Sequence, residues 1–118
     1  IVIPTNPDEF SVSGTKMTLD SIKEIKEQCP HWKAESYVVW TKFDSREKSA
    51  MNYITEVDFK EAEVVPFVVR TDVTFKKAQT ERKSVFQMRK TGSAQEDLDL
   101  LARSLVGFES GVTQIGEG

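Results

Sequence analysis

Cysteine and histidine are almost missing from this chain. Cys29 and His31 are the only representatives in 118 residues, so there is no disulfide framework and no Cys/His cluster able to hold zinc. No apolar run approaches the roughly 20 residues needed to cross a bilayer, and no signal-like segment is present. A strong excess of either charge is lacking too. The net charge of −3 argues against wholesale electrostatic adhesion to nucleic acid while leaving room for a local basic patch. There is no Gly-x-x-x-x-Gly-Lys-[Ser/Thr] phosphate loop, no internal repeat and no low-complexity tract. What remains is one domain's length of chain with 38% hydrophobic and 30% charged residues. That is a soluble globular composition, best suited to a cytosolic setting.

The stretch from Tyr37 to Asp44 organises the rest. Its apolar run is rich in β-branched and aromatic side chains, which predicts a buried strand from about Ser36 to Trp40. It stops abruptly at Thr41-Lys42-Phe43-Asp44. Two other candidates share the design: Ile1-Val2-Ile3 breaks into Pro4-Thr5-Asn6-Pro7-Asp8, and the run from Glu63 to Val69 breaks into Arg70-Thr71-Asp72. In an open parallel sheet ligands bind beyond the carboxyl ends of the strands, so three polar loops are expected to share one functional edge. Pro66 costs a ladder hydrogen bond, which implies an edge position for the third strand or a start nearer Phe67. A bare apolar strand at Ile1, without an initiator Met, is expected to have further sheet before it.

Helices are predicted between the strands and after them. Ser11 or Ser13 is expected to cap the first, whose apolar stripe is Val12, Leu19, Ile22 and Ile25 or Cys29, and Pro30 stops it. A second is expected from Ser45, with Ala50, Met51, Ile54 and Val57 on one face and free N–H groups beside the crevice. Asp72 or Thr71 caps a third, Val73 to Thr80. The last opens on a Ser93-Ala94-Gln95-Glu96 capping box, carries Ala94, Leu98, Leu101 and Leu105, and is capped by Gly107. Residues 108–118 read as a flexible tail. The order β-α-β-α-β-α-α predicts an α/β domain with a mostly parallel sheet and flanking helices.

Several of these segments resemble the ParA/Soj/MinD ATPases. Ile1 to Asp8 looks like the strand and loop after their second nucleotide-binding motif, and Val39 to Arg46 resembles their Thr-Met-Phe-Asp-x-Arg segment. Arg70 to Ala78, followed by Lys83-Ser84-Val85, resembles their Arg, apolar, Ala and Gly-Lys-Ser-Val pattern. Arg82 stands where the family usually has Gly, which leaves the turn there open. The match runs over residues 1–107 in the family's order, and it covers the C-terminal half only.

The resemblance implies a P-loop-NTPase-like sheet that is incomplete in this chain. It implies the C-terminal portion of a ParA-type ATPase for plasmid or chromosome partition, cytoplasmic and associated with the bacterial nucleoid. The parent would use ATP and Mg, form a homodimer, bind non-specific DNA and respond to a centromere-binding partition partner. The fragment alone is expected to be inactive and to bind no cofactor tightly, because nothing in it cradles the phosphates or holds the metal. Thr41, Lys42, Asp44, Arg70, Thr71 and Asp72 are the implied contacts on the adenine side. Read without the family, Asp44 and Asp72 are simply helix caps. Lys76, Lys77, Arg82, Lys83, Arg89 and Lys90, set against the single acid Glu81, are the implied DNA patch, and their plain alternative is a solvated helix face. No residue is singled out as catalytic or metal-ligating. Cys29 is expected to be a small buried hydrophobe, Trp40 to be core, and His31 to have no catalytic role. Two rivals stand beside this reading: a MinD-like ATPase of another positioning process, and an interaction domain without nucleotide chemistry.

Overall fold

Tyr37 to Phe43 forms the middle strand of the computed structural model, which describes residues 1–88 and 92–109. In chain order the elements are β1 (Val2–Thr5), α1 (Glu9–Gln28), β2 (Tyr37–Phe43), α2 (Lys48–Glu56), β3 (Glu63–Arg70), α3 (Val73–Glu81), a 3₁₀ turn (Val85–Gln87) and α4 (Ser93–Glu109). The strands lie in the order β1-β2-β3, and both pairings are parallel. This is the expected α/β arrangement of a parallel sheet with flanking helices.

A strand covered on both faces needs apolar side chains of both parities, and β2 supplies them. Val38 and Trp40 face one layer, with Val12 and Leu19 of α1 and with Phe59, and Ile54 and Tyr53 of α2 pack against it. Trp40 is 1% exposed, and its ring centroid lies 5.7 Å from that of Phe59 in a tilted pair. Val39 faces the other layer with Val65 and Val69 of β3, against which Phe75 of α3 and Leu101 of α4 pack. A Trp-sized truncation at position 40 would cost about 3–5 kcal/mol at such a site.

The pairing of β1 with β2 is regular, from Val2↔Tyr37 to Thr5↔Trp40. That of β2 with β3 is not. Val38 pairs with Val64 but Trp40 pairs with Val68, so the third strand bulges through Val65-Pro66-Phe67, where Pro66 has no N–H to offer. As expected from that proline, β3 is an outer strand. A second shift follows between Trp40↔Val68 and Phe43↔Arg70. The extra residue is now on β2, and Lys42 adopts a φ of 52° in the left-handed region. The bulge lets β2 continue to Phe43 instead of ending at Trp40.

Several helix ends differ from expectation. Asp8, not Ser11 or Ser13, caps α1: its Oδ1 accepts the Ser11 N–H at 2.7 Å. The expected Ile25 or Cys29 end of the stripe stays outside the core, Ile25 at 47% exposed and Cys29 also exposed. Thr15 is buried in their stead and shares a 2.7 Å hydroxyl hydrogen bond with Thr5. Helix α2 starts three residues later than Ser45, at Lys48, and Met51 points outward while Tyr53 packs inward. The Ser93/Glu96 capping box does not form. Gln95 Oε1 accepts the Gly92 N–H at 2.8 Å instead, and Ser93 is engaged elsewhere. Gly107 does not end α4, which reaches Glu109. The remainder of the expected tail, 110–118, lies outside the described residues.

Candidate functional site at the carboxyl edge of the sheet

Parallel strands place all three of their carboxyl ends on one edge, and the loops leaving them do meet there. After β1, Asn6 Oδ1 accepts the Thr41 hydroxyl at 2.8 Å. After β2, Asp44 turns the chain back on itself. Its Oδ1 accepts the Arg46 backbone N–H and Nε, each at 3.0 Å, its Oδ2 accepts Arg46 Nη2 at 2.8 Å, and its backbone carbonyl accepts the Glu47 N–H at 3.0 Å. These bonds consume N–H groups expected to lie free at the start of α2. The Arg46 side-chain and backbone donors hold the Asp44 carboxyl well below the usual range, at about 2.

The loop after β3 is tied much further along the chain. Asp97, 5% exposed on the inner face of α4, accepts the Arg70 backbone N–H at 2.8 Å and Arg70 Nη2 at 2.9 Å. Glu96 lies 3.6 Å from the same nitrogen. Hydrogen bonding to Asp97 raises the Arg70 guanidinium further above its ordinary value. Asp72 caps α3 through the Thr74 N–H at 2.8 Å, and its other oxygen accepts the Ser93 hydroxyl at 2.6 Å and the Ala94 N–H at 3.2 Å. The Ser93 hydroxyl, followed by the Thr74 N–H, holds its carboxyl far below the usual range. One carboxylate thus caps α3 and fastens the start of α4.

Between the second and third loops lies a hollow of about 280 Å³, lined by Phe43, Asp44, Ser45, Arg46, Arg70 and Thr71 with Ser93. The Thr71 N–H donates to the Phe43 carbonyl at 2.9 Å and closes the seam between the loops. Of the six residues expected on the adenine side, Asp44, Arg70 and Thr71 come together here. Thr41 faces Asn6, Lys42 is exposed on the bulge, and Asp72 lies behind, turned to α4. Ser93 and Asp97 were not legible as site residues. The available signal was an acid at 97 in the stripe Ala94, Leu98, Leu101, where an apolar side chain belongs.

In the basic set, Lys76, Lys77 and Arg82 are exposed, and Lys83 Nζ lies 3.8 Å from Glu81. Arg89 and Lys90 lie outside the described residues. A larger hollow of about 530 Å³, lined among others by Asp72, Thr74, Lys77, Glu81, Lys83 and Gln87, separates α3 from the start of α4. Its lining mixes both charges. Arg82 ends α3 with a φ of 55°, a left-handed conformation that favours glycine. Among the described residues no cluster of His, Cys, Asp and Glu could hold a metal ion, and no helix is long and apolar enough to cross a membrane.

No protein-family profile matches this chain, and no solved structure does. The chain is similar to uncharacterized protein MJECL24 of Methanocaldococcus jannaschii, with 27% identity over 110 residues that cover 90% of this chain and 42% of that protein. It therefore spans less than half the length of the curated relative it matches.

Proposed function

We propose that this chain is the C-terminal, base-side portion of a ParA-type ATPase that serves plasmid or chromosome partition. The observation that carries the reading is the hollow shared by the Thr-Lys-x-Asp loop and the Arg-Thr-Asp loop, at the edge of the sheet where a parallel α/β fold binds its ligands. A hydroxyl at Thr71, a carboxylate at Asp44, the guanidinium of Arg70 and the ring of Phe43 make a lining suited to a base and ribose. The left-handed backbone at Arg82 also supports the reading, since glycine favours such a position and the resembled family usually carries glycine there. Phosphates and magnesium would be held by residues of the remaining P-loop-like sheet, and the residues described here supply no chemistry to that step. ATP turnover, homodimerisation, response to a centromere-binding partner and a nucleoid setting in the cytoplasm belong to the same reading of the parent. Exposed Lys76, Lys77 and Arg82 would contribute phosphate contacts to non-specific DNA.

The rival is an interaction domain with no nucleotide chemistry. It is favoured by the full engagement of Asp72 and Asp97 inside the fold, which is a structural use of site-like residues. Titration of the chain with AMP at millimolar concentration, followed by backbone amide shifts, separates the two. The reading predicts weak saturable shifts in both loops, at residues 43–46 and 70–72. An unperturbed spectrum supports the interaction domain, as does an open reading frame with no Gly-Lys-rich phosphate loop upstream of Ile1.

A further inference from the structure

Arg46 and Arg70 are the cations of the shared hollow, and the geometry of Arg70 is fixed from behind. Three of its donors are taken: the backbone N–H, Nε and Nη2 all bond to the Asp97 carboxylate, at 2.8 to 3.3 Å. Its Nη1 has no partner among the described residues, while the Arg70 side chain is 47% exposed and lines the hollow. A guanidinium held on one edge by a fork of carboxylate oxygens presents its other edge in one plane and one direction. A surface arginine without that fork would sample many rotamers, and a ligand would have to freeze them. Asp97 is itself held by burial in the stripe of α4 that packs on Val65 and Val69 through Leu101.

We propose that Asp97 is a positioning residue for the hollow: it sets the Arg70 guanidinium toward the bound ligand, so that ligand binding and the docking of the first turns of α4 are coupled. The inference rests on the nucleotide-edge reading above and deepens it. By linkage, a ligand that engages Arg70 in its clasped geometry stabilises the clasp by the same factor that the clasp strengthens binding. Ser93 extends the link, since its backbone begins α4, its hydroxyl bonds Asp72 and it also lines the hollow.

The test is AMP titration of the full chain read by amide shifts, in wild type, Asp97→Asn and Arg70→Gln. Asp97→Asn keeps the shape and removes the charge. Arg70→Gln removes the guanidinium yet leaves the backbone N–H to bond Asp97, so it retains the fold if Asp97→Asn does not. The wild type is expected to show AMP-dependent shifts at 93–98 as well as in the two loops, with slowed amide exchange in that turn. Each variant is expected to bind AMP about tenfold more weakly, which is about 1.4 kcal/mol, and to lose the response at 93–98. A variant with a lowered melting temperature but wild-type AMP affinity and an intact response at 93–98 overturns the proposal, leaving Asp97 a purely structural acid. A wild-type chain that shows no shift in either loop sinks the nucleotide-edge reading itself and this inference with it.

Discussion

The two loops that form the hollow are built on opposite plans. The loop after β2 is shaped locally, since among the described residues Asp44 bonds Arg46 and Glu47, two and three residues away. The loop after β3 is held by partners 21 to 27 residues away, through Asp72 with Ser93 and Arg70 with Asp97. Local bonds shape a turn without adding to the global fold, since they can persist in the unfolded chain. Long-range bonds to a buried carboxylate exist only when α4 is docked. A wall shaped by local bonds and a wall tied to a distant helix therefore face each other across one site.

The comparison is tested most severely at Asp97. Asp97→Ala leaves the Arg70 N–H and guanidinium without their acceptor and should destabilise the chain by about 3 kcal/mol, read from urea unfolding. Asp72→Ala removes a cap and the link to Ser93, and roughly 2 kcal/mol should follow in the same measurement. The pH dependence has a definite sign. The folded carboxyl of Asp72 is depressed, so its contribution is present above the unfolded carboxylate pKa of about 4 and is lost as pH falls below that value. Acid unfolding of Asp72→Asn should consequently be flatter than that of wild type below about pH 4.

Smaller effects belong to the β2 loop. Lys42→Gly relieves the left-handed backbone of the bulge and should stabilise by about 0.5 kcal/mol, the gain being partly offset by glycine's freedom in the unfolded chain. Asp44→Ala should leave the melting temperature unchanged within error. A large loss at Asp44 would mean that its turn carries long-range structure after all, and the contrast between the loops would dissolve.

The strands were legible because apolar runs of both parities have few other uses. Helix positions followed from Pro30 and from the stripe of α1, yet caps did not, since Asp8, Ser11 and Ser13 are all competent and only the chain's entry angle decides among them. The end of β2 was missed because Thr41-Lys42 looks polar, whereas a bulge at Lys42 keeps Phe43 in the strand, 9% exposed. Asp72 was legible as a cap, but its second bond requires knowing that Ser93 arrives beside it. Asp97 illustrates the general obstacle. Its partner lies 27 residues earlier, and nothing in the sequence separates a clasped acid from a solvated one except its place in an apolar stripe.

One face of the sheet depends on α4, the latest in chain order of the described helices. Val65 and Val69 are covered by Phe75 and by Leu101, and the clasp that seats Leu101 waits for Asp97. A growing chain that has not yet released residue 101 from the ribosome holds an outer strand whose valines lack the cover of Leu101 and an arginine lacking its acceptor. Contacts across such separations are slow to nucleate, so until α4 docks this face stays open to capture by a chaperone.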